Sequence, residues 1–296
     1  MNNSIVAPAD VRAKIEDDIQ KRTLTHQANI ARLAAAKEFA QTLDAASRHQ
    51  PKVFLAQGDS WFDYPLIGNG PALGQTDIIA QLRHMGDTPP IILNLAHHGD
   101  AATSQMSLPK QERMINALRD PANWLNGKPD AILFSAGGDD IAGDQFCIFL
   151  DFNANKATGL NDDRFTKALG MVEACYLELF ALRDRVATGV PIIGHGYDFP
   201  IPNGRHPICA GPWLKPSLDF CNWSVAQGTG IARQALTKFH DMLTKLASVK
   251  SNNFILVETQ GVLTPAEWAN ELHPTPSGFG KMADKFFDAI SKNFTG

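Results

Sequence analysis

Five short apolar runs in this sequence lead into residue types that can do chemistry. Val53-Phe54-Leu55-Ala56 runs into Gly58-Asp59-Ser60, and the run at 91–95 runs into His97-His98-Gly99-Asp100. The run at 131–135 is followed by Gly137-Gly138-Asp139-Asp140, and the run at 190–194 by His195-Gly196-Tyr197-Asp198. Some residues after the fifth run, 254–257, come Asn270-Glu271-Leu272-His273-Pro274. A serine hydroxyl is a weak nucleophile at neutral pH and needs an adjacent base. A neutral imidazole can take its proton and later return it to a leaving group. Serine, histidine and carboxylates in such places, with glycines that let backbone N–H groups approach a ligand, point to hydrolytic chemistry.

These residues can meet only if the runs lie side by side. Each run is nearly continuously apolar rather than alternating, as a strand is when helices cover both faces of a parallel sheet. Helical patterns fill the intervals, around 75–86, 110–120, 163–188 and 228–248, with a last one at 276–293. Five strands alternating with helices predict a three-layer α/β/α sandwich on a five-stranded parallel sheet. Ligands of such sheets sit at the carboxyl ends of the strands, where the residues above gather. Serine also favours helix N-caps, so Ser60 is expected both to cap the helix after the first strand and to be displayed for attack. Ahead of the sheet, Val11, Ile15 and Ile19, then Ile30, Leu33 and Ala34, lay an apolar stripe along a helix over 9–48. The sequence thus divides into an N-terminal helical arm, 1–50, and a main domain, 51–296. The arm packs on that domain or forms a homodimer.

Gly58-Asp59-Ser60, Gly99 after Asn94-Leu95, Gly137-Gly138-Asp139-Asp140 and His273-Pro274 stand in the order of the four blocks of the SGNH, or GDSL-type, serine hydrolases, and the main domain resembles that family. The resemblance implies a flavodoxin-like sandwich and an esterase or lipase in which Ser60 attacks and His273 is the base. It implies an oxyanion site built from the Ser60 and Gly99 N–H groups and an asparagine. Here that asparagine position holds Asp139. An ionised carboxylate accepts hydrogen bonds and donates none, so Asp139 would have to be protonated, hold a water or a cation, or orient another donor. The resemblance also places an aspartate three residues before the histidine, where this sequence has Asn270. The amide oxygen can fix the imidazole tautomer, giving a Ser-His pair with a neutral orienter. Glu271 beside it reads as a solvated surface carboxylate.

Two stretches exceed what a compact version of the fold needs, 143–162 and 197–227, and both begin on the rim. Long rim loops form lids and pocket walls. Trp213 and Trp223 in the second, with Phe146, Phe149, Phe152 and Phe220, are candidate substrate contacts, and Trp61 and Phe62 beside the serine are the nearest walls. The substrate class is a small-molecule or lipid-like ester.

Of the 296 residues, 44% are hydrophobic and 20% charged, with a net charge of −4. That suits a globular chain whose core needs no disulfide or metal. No Lys/Arg-rich stripe invites nucleic acid. No apolar run is long enough for a transmembrane segment. Four scattered cysteines and an N-terminus unlike a signal peptide fit a cytoplasmic protein, with Cys209 and Cys221 a pair only if the chain is exported. No cofactor and no metal are expected, since nothing matches a metal-loop spacing. Two other functions share these residues. One is a catalytically weak or inactive binding protein on the same fold, suggested by Asp139 and Asn270. The other is a metal-assisted phosphoesterase using Asp59, Asp63, Asp139 and Asp140.

Overall fold

A computed structural model describes residues 8–42, 50–64, 76–154, 158–206 and 211–294. The elements follow the sequence pattern in order: α1 Pro8–Thr42, β1 Val53–Gly58, α2 Ile78–Leu82, β2 Ile91–Asn94, α3 Ala102–Gln105, α4 Leu108–Arg119, β3 Ala131–Ser135, α5 Gly138–Ile141, α6 Asp162–Val186, β4 Ile192–His195, α7 Lys215–Phe220, α8 Val225–Ser248, β5 Phe254–Val257 and α9 Pro276–Asn293. The five strands form one sheet in the order β2-β1-β3-β4-β5, with every pairing parallel. This is the flavodoxin-like order, in which the chain reverses direction across the sheet between β1 and β3.

The continuous apolar runs are explained by burial on both faces: all six residues of β1 and all five of β3 are buried. Helices α2 and α9 pack together on one face, and α4, α6 and α8 pack in sequence on the other. The carboxyl-end rim is assembled by three adjacent strands. β1 ends at Gly58, paired with Ser135 at the end of β3, and β4 ends beside them at His195. A Cβ on Gly58 would lie 2.9 Å from the Phe62 ring, so the tight exit from β1 depends on glycine at that position.

α1 lies against β2 and the turn at Pro121–Asn123. Ile19 and Ile30 of its stripe are buried, and its polar side chains tie it down. Arg22 donates to the Ala96 carbonyl and the Asp63 carboxylate, His26 Nε2 bonds the Asn123 carbonyl at 2.8 Å, and Gln27 donates to Asp120. The expected continuation of this helix over 43–48 lies outside the described residues, as does Cys209. The two long stretches on the rim brace each other. Asn153 N–H donates to the Cys221 carbonyl and Trp223 Nε1 to the Asp151 carbonyl, both within 3 Å. Among the described residues no helix is long and apolar enough to cross a membrane.

Candidate active site

The loop after β1 turns back immediately. Phe62 and Asp63 N–H both donate to the Asp59 carbonyl, and the Asp59 carboxylate accepts the Trp61 N–H at 2.9 Å. Ser60 sits at the apex of this turn and is 8% exposed. Ser60 does not cap a helix, contrary to expectation. α2 starts at Ile78, and its cap is Asp77, whose side chain accepts from Ala80 N–H. The serine hydroxyl is left for a different partner, His273 Nε2, at 2.7 Å.

His273 is held from the other side. Its Nδ1 lies 3.0 Å from Asn270 Oδ1, which also accepts the N–H groups of Leu272 and His273. An Nδ1–H donating to that oxygen leaves the Nε2 lone pair facing Ser60. Asn270 Nδ2 donates to the Tyr64 hydroxyl at 3.0 Å, and the Tyr64 ring stacks on the imidazole at 4.2 Å. Trp213 meets the imidazole edge-on at 5.3 Å. Burial, reinforced by the nearby His98, lowers the His273 pKa to about 3, so the imidazole is neutral over the whole physiological range and able to accept a proton.

Behind the serine runs a buried polar chain. Tyr197 N–H donates to His195 Nδ1 at 3.2 Å, so His195 carries its proton on Nε2 and donates to Ser135 Oγ at 2.9 Å. Ser135 donates in turn to Asp59 Oδ1 at 2.8 Å. Gly138 N–H donates to the Tyr197 hydroxyl at 3.0 Å, which frees the phenolic proton for Asp59 Oδ2. Tyr197 has φ 58°, uncommon for a bulky residue, and this backbone turn brings its ring under the rim. A Cβ on Gly138 would come within 2.8 Å of that ring. Sequence reading passed over Tyr197. Its role depends on a left-handed backbone and a partner 138 positions away, neither of which leaves a local signal.

Asp139 follows directly. It lies on the same rim, and its Oδ2 is buried without a hydrogen-bond partner among the described residues. Asp140 points elsewhere and accepts the Ala102 N–H at 2.6 Å, starting α3. Gly99 is exposed on the loop after β2 with φ 76°. A cavity of about 60 Å³ opens beside the serine. It is lined by Ser60, His273 and Asp139, and by apolar side chains that include Trp61, Phe146, Leu214 and Leu236.

Several expected contacts fall elsewhere. Phe62 is fully buried against His195 and Phe286, so it belongs to the core beneath the site and not to its wall. Trp223 is 8% exposed and serves the junction of the two long stretches, away from the cavity. Phe152 and Phe220 are 60% and 75% exposed. The wall missed by sequence reading comes from α8, where Ala232, Ala235 and Leu236 face the cavity. Small residues on one side of an otherwise apolar helix were the available signal. Glu271 is also corrected. It is fully buried rather than solvated, and its two oxygens accept the N–H groups of Gly204, Trp213, Leu214 and Lys215. It fastens the loop over the site and does not touch His273. Among the described residues no three His, Cys, Asp or Glu side chains gather as a metal-ligand group.

The fold is that of the SGNH hydrolases, a parallel five-stranded sheet between helical layers. Solved structures with this architecture include the lipase Lip_vut3 from a goat rumen metagenome, 15% identical over 80% of this chain and 97% of its own, with a TM-score of 0.52. An extracellular lipase from Streptomyces rimosus is 16% identical over 80% of this chain and 99% of its own, with a TM-score of 0.50. No protein-family model matches the chain, and no curated protein is similar to it in sequence.

Proposed function

We propose that this protein is a serine hydrolase that cleaves carboxylic esters with short acyl groups. The observation that carries the reading is the chain Ser60 Oγ to His273 Nε2 at 2.7 Å and His273 Nδ1 to Asn270 Oδ1 at 3.0 Å, set at the mouth of an apolar cavity. The two solved structures named above as sharing the fold are lipases, which supports the same chemistry.

Ser60 Oγ attacks the ester carbonyl carbon as its proton passes to His273 Nε2, and the carbonyl π pair moves to oxygen. The Ser60 and Gly99 N–H groups receive that oxyanion, with Asp139 beside them. Collapse of the intermediate expels the alcohol, which takes the proton from Nε2, and leaves an acyl-Ser60. Water, deprotonated by the same nitrogen, repeats the sequence and frees the acid. Asn270 holds the tautomer that makes Nε2 the acceptor. One water needs about 10–15 Å³ of such space, so the cavity of about 60 Å³ has room for an acyl group of a few carbons. Trp61, Phe146 and Leu236 shield it from water.

A p-nitrophenyl ester series from acetate to decanoate tests this. Turnover is expected to be fastest at the short end, and a fluorophosphonate is expected to label Ser60. His273→Ala should lower kcat by about 10²–10⁴-fold, and Ser60→Ala should abolish both turnover and labelling. A protein inert to the whole series and unlabelled at Ser60 would sink the proposal.

A further inference from the structure

An ester hydrolase with Asp139 where an oxyanion donor is needed carries a carboxyl that repels the charge it should stabilise, unless that carboxyl holds a proton. Two buried carboxyls stand near each other here, and hydrogen-bond directions distinguish them. Asp59 receives three donors whose directions are fixed: the Trp61 N–H, the Ser135 hydroxyl and the Tyr197 hydroxyl. Ser135 already accepts from His195 Nε2 and Tyr197 from Gly138 N–H, so each hydroxyl is left with its single proton to direct at Asp59. Burial, then the facing Asp139, push the Asp59 pKa up to about 8, but three donors directed at a carboxylate favour its charged form, and on that geometry we assign Asp59 as the anion of the pair.

Asp139 is the converse. Its Oδ2 is buried and has no partner among the described residues, and the residue lines the cavity shared by Ser60 and His273. The charges that face it are mostly negative. Asp59 lies behind it, Asp140 is its neighbour, and Asp100 sits on the loop after β2, partly balanced by its ion pair with Lys110. Among the described residues His98 is the basic side chain that opposes them, while the α8 residues around the cavity are apolar.

We propose that Asp139 is a catalytic residue that works in its protonated form, its carboxyl O–H donating to the oxyanion, so that the enzyme is active on the acid side of neutrality and turns itself off as pH rises. The hydrogen is shared and not transferred, so the proton inventory of the Ser60–His273 cycle is unchanged. This rests on the ester-hydrolase reading. Burial first, then Asp140 and Asp100, raise the Asp139 pKa to about 6, against a smaller opposing effect of His98. The donor form is therefore present below that pH and lost above it. His273 stays a competent base throughout this window, because its own protonation falls near pH 3.

The test is the pH profile of kcat/KM for an acetyl ester from pH 4.5 to 9, in EDTA, for the native protein and Asp139→Asn. Loss of one oxyanion donor costs about 10²–10³-fold, so the native rate is expected to fall about 10²-fold between pH 5 and pH 8. Asp139→Asn, which donates at every pH, should be flat to within about threefold over that range and exceed the native protein at pH 8. A flat native profile, an unchanged alkaline fall in Asp139→Asn, or loss of native activity on adding EDTA would each overturn the proposal. Should Asp139→Asn fail to fold, infrared difference spectra of the native protein minus those of Asp139→Ala decide the matter, the subtraction cancelling other buried carboxyls such as Asp77, whose pKa burial also raises to about 6. A carboxylic C=O band lost between pH 5 and pH 8 supports the proposal, and its absence overturns it. Absence of both turnover and Ser60 labelling at every pH would instead remove the hydrolase reading itself, and this inference with it.

Discussion

The loops after β1 and β3 leave adjacent strands at the same rim, each carries a buried carboxyl, and they treat it in opposite ways. At the β1 exit the Asp59 carboxylate is fully supplied, with an N–H and two hydroxyls converging on it. At the β3 exit Asp139 Oδ2 is given nothing. Buried polar groups are almost always paired, so the contrast separates structure from function. The supplied carboxylate fixes the turn that presents Ser60, while the unsupplied one is kept for a group that arrives with the substrate. Glu271 follows the Asp59 pattern, with four backbone donors on its two oxygens.

That contrast breaks if a supplied carboxylate proves dispensable, and Glu271→Ala gives the largest effect. It strands four N–H groups in the loop that carries Trp213 against His273. A buried donor left unpaired costs about 1–3 kcal/mol. Allowing for water entry, the variant should lose about 3–6 kcal/mol, read as a lower urea midpoint at unchanged slope. A midpoint within experimental error of the native one would end the comparison. Tyr197→Phe comes next. It removes one donor from Asp59 and the acceptor of Gly138 N–H, with an expected loss of about 1–3 kcal/mol by the same measurement.

The sheet and the meeting of Ser60 with His273 were legible in the sequence because each has a local signature. Continuous apolar runs announce strands buried on both faces, and Ser60 and His273 lie in blocks with recognisable neighbours. What escaped depends on long-range packing. Glu271 looks like any charged loop residue, since the four N–H groups that bury it come from 204–215. Phe62 and Trp223 look like site walls because aromatics near a nucleophile suit that role equally well. Only the fold reveals that one lies under the sheet edge and the other joins the two long stretches. Tyr197 was hidden because its partner, Asp59, lies 138 positions away. Asp139 was visible as a departure, but its protonation could not be read from sequence, since that depends on the absence of a partner.

The smallest effect comes from the orienter. Asn270 Oδ1 accepts three N–H groups, those of Leu272, His273 and the imidazole, so Asn270→Asp retains every one of these acceptor contacts. The Tyr64 hydroxyl, which now accepts from Asn270 Nδ2, can turn to donate to the new oxygen. What changes is charge. A carboxylate at 3.0 Å from Nδ1 favours the imidazolium and should raise the His273 pKa by about 1–3 pH units. Stabilising the imidazolium that forms during attack by about 1.4 kcal/mol would raise kcat about tenfold. Because burial starts the imidazole from a pKa of about 3, all but the top of that rise would still leave it mostly neutral at pH 6. The acid limb of the profile should therefore move up toward the alkaline limb set by Asp139, narrowing the active window while raising its peak. If Asn270→Asp raises the rate but leaves the acid limb in place, His273 is not the group whose protonation stops the enzyme at low pH. The amide would then be better understood as a scaffold for the 268–274 loop than as a tuned partner of the base.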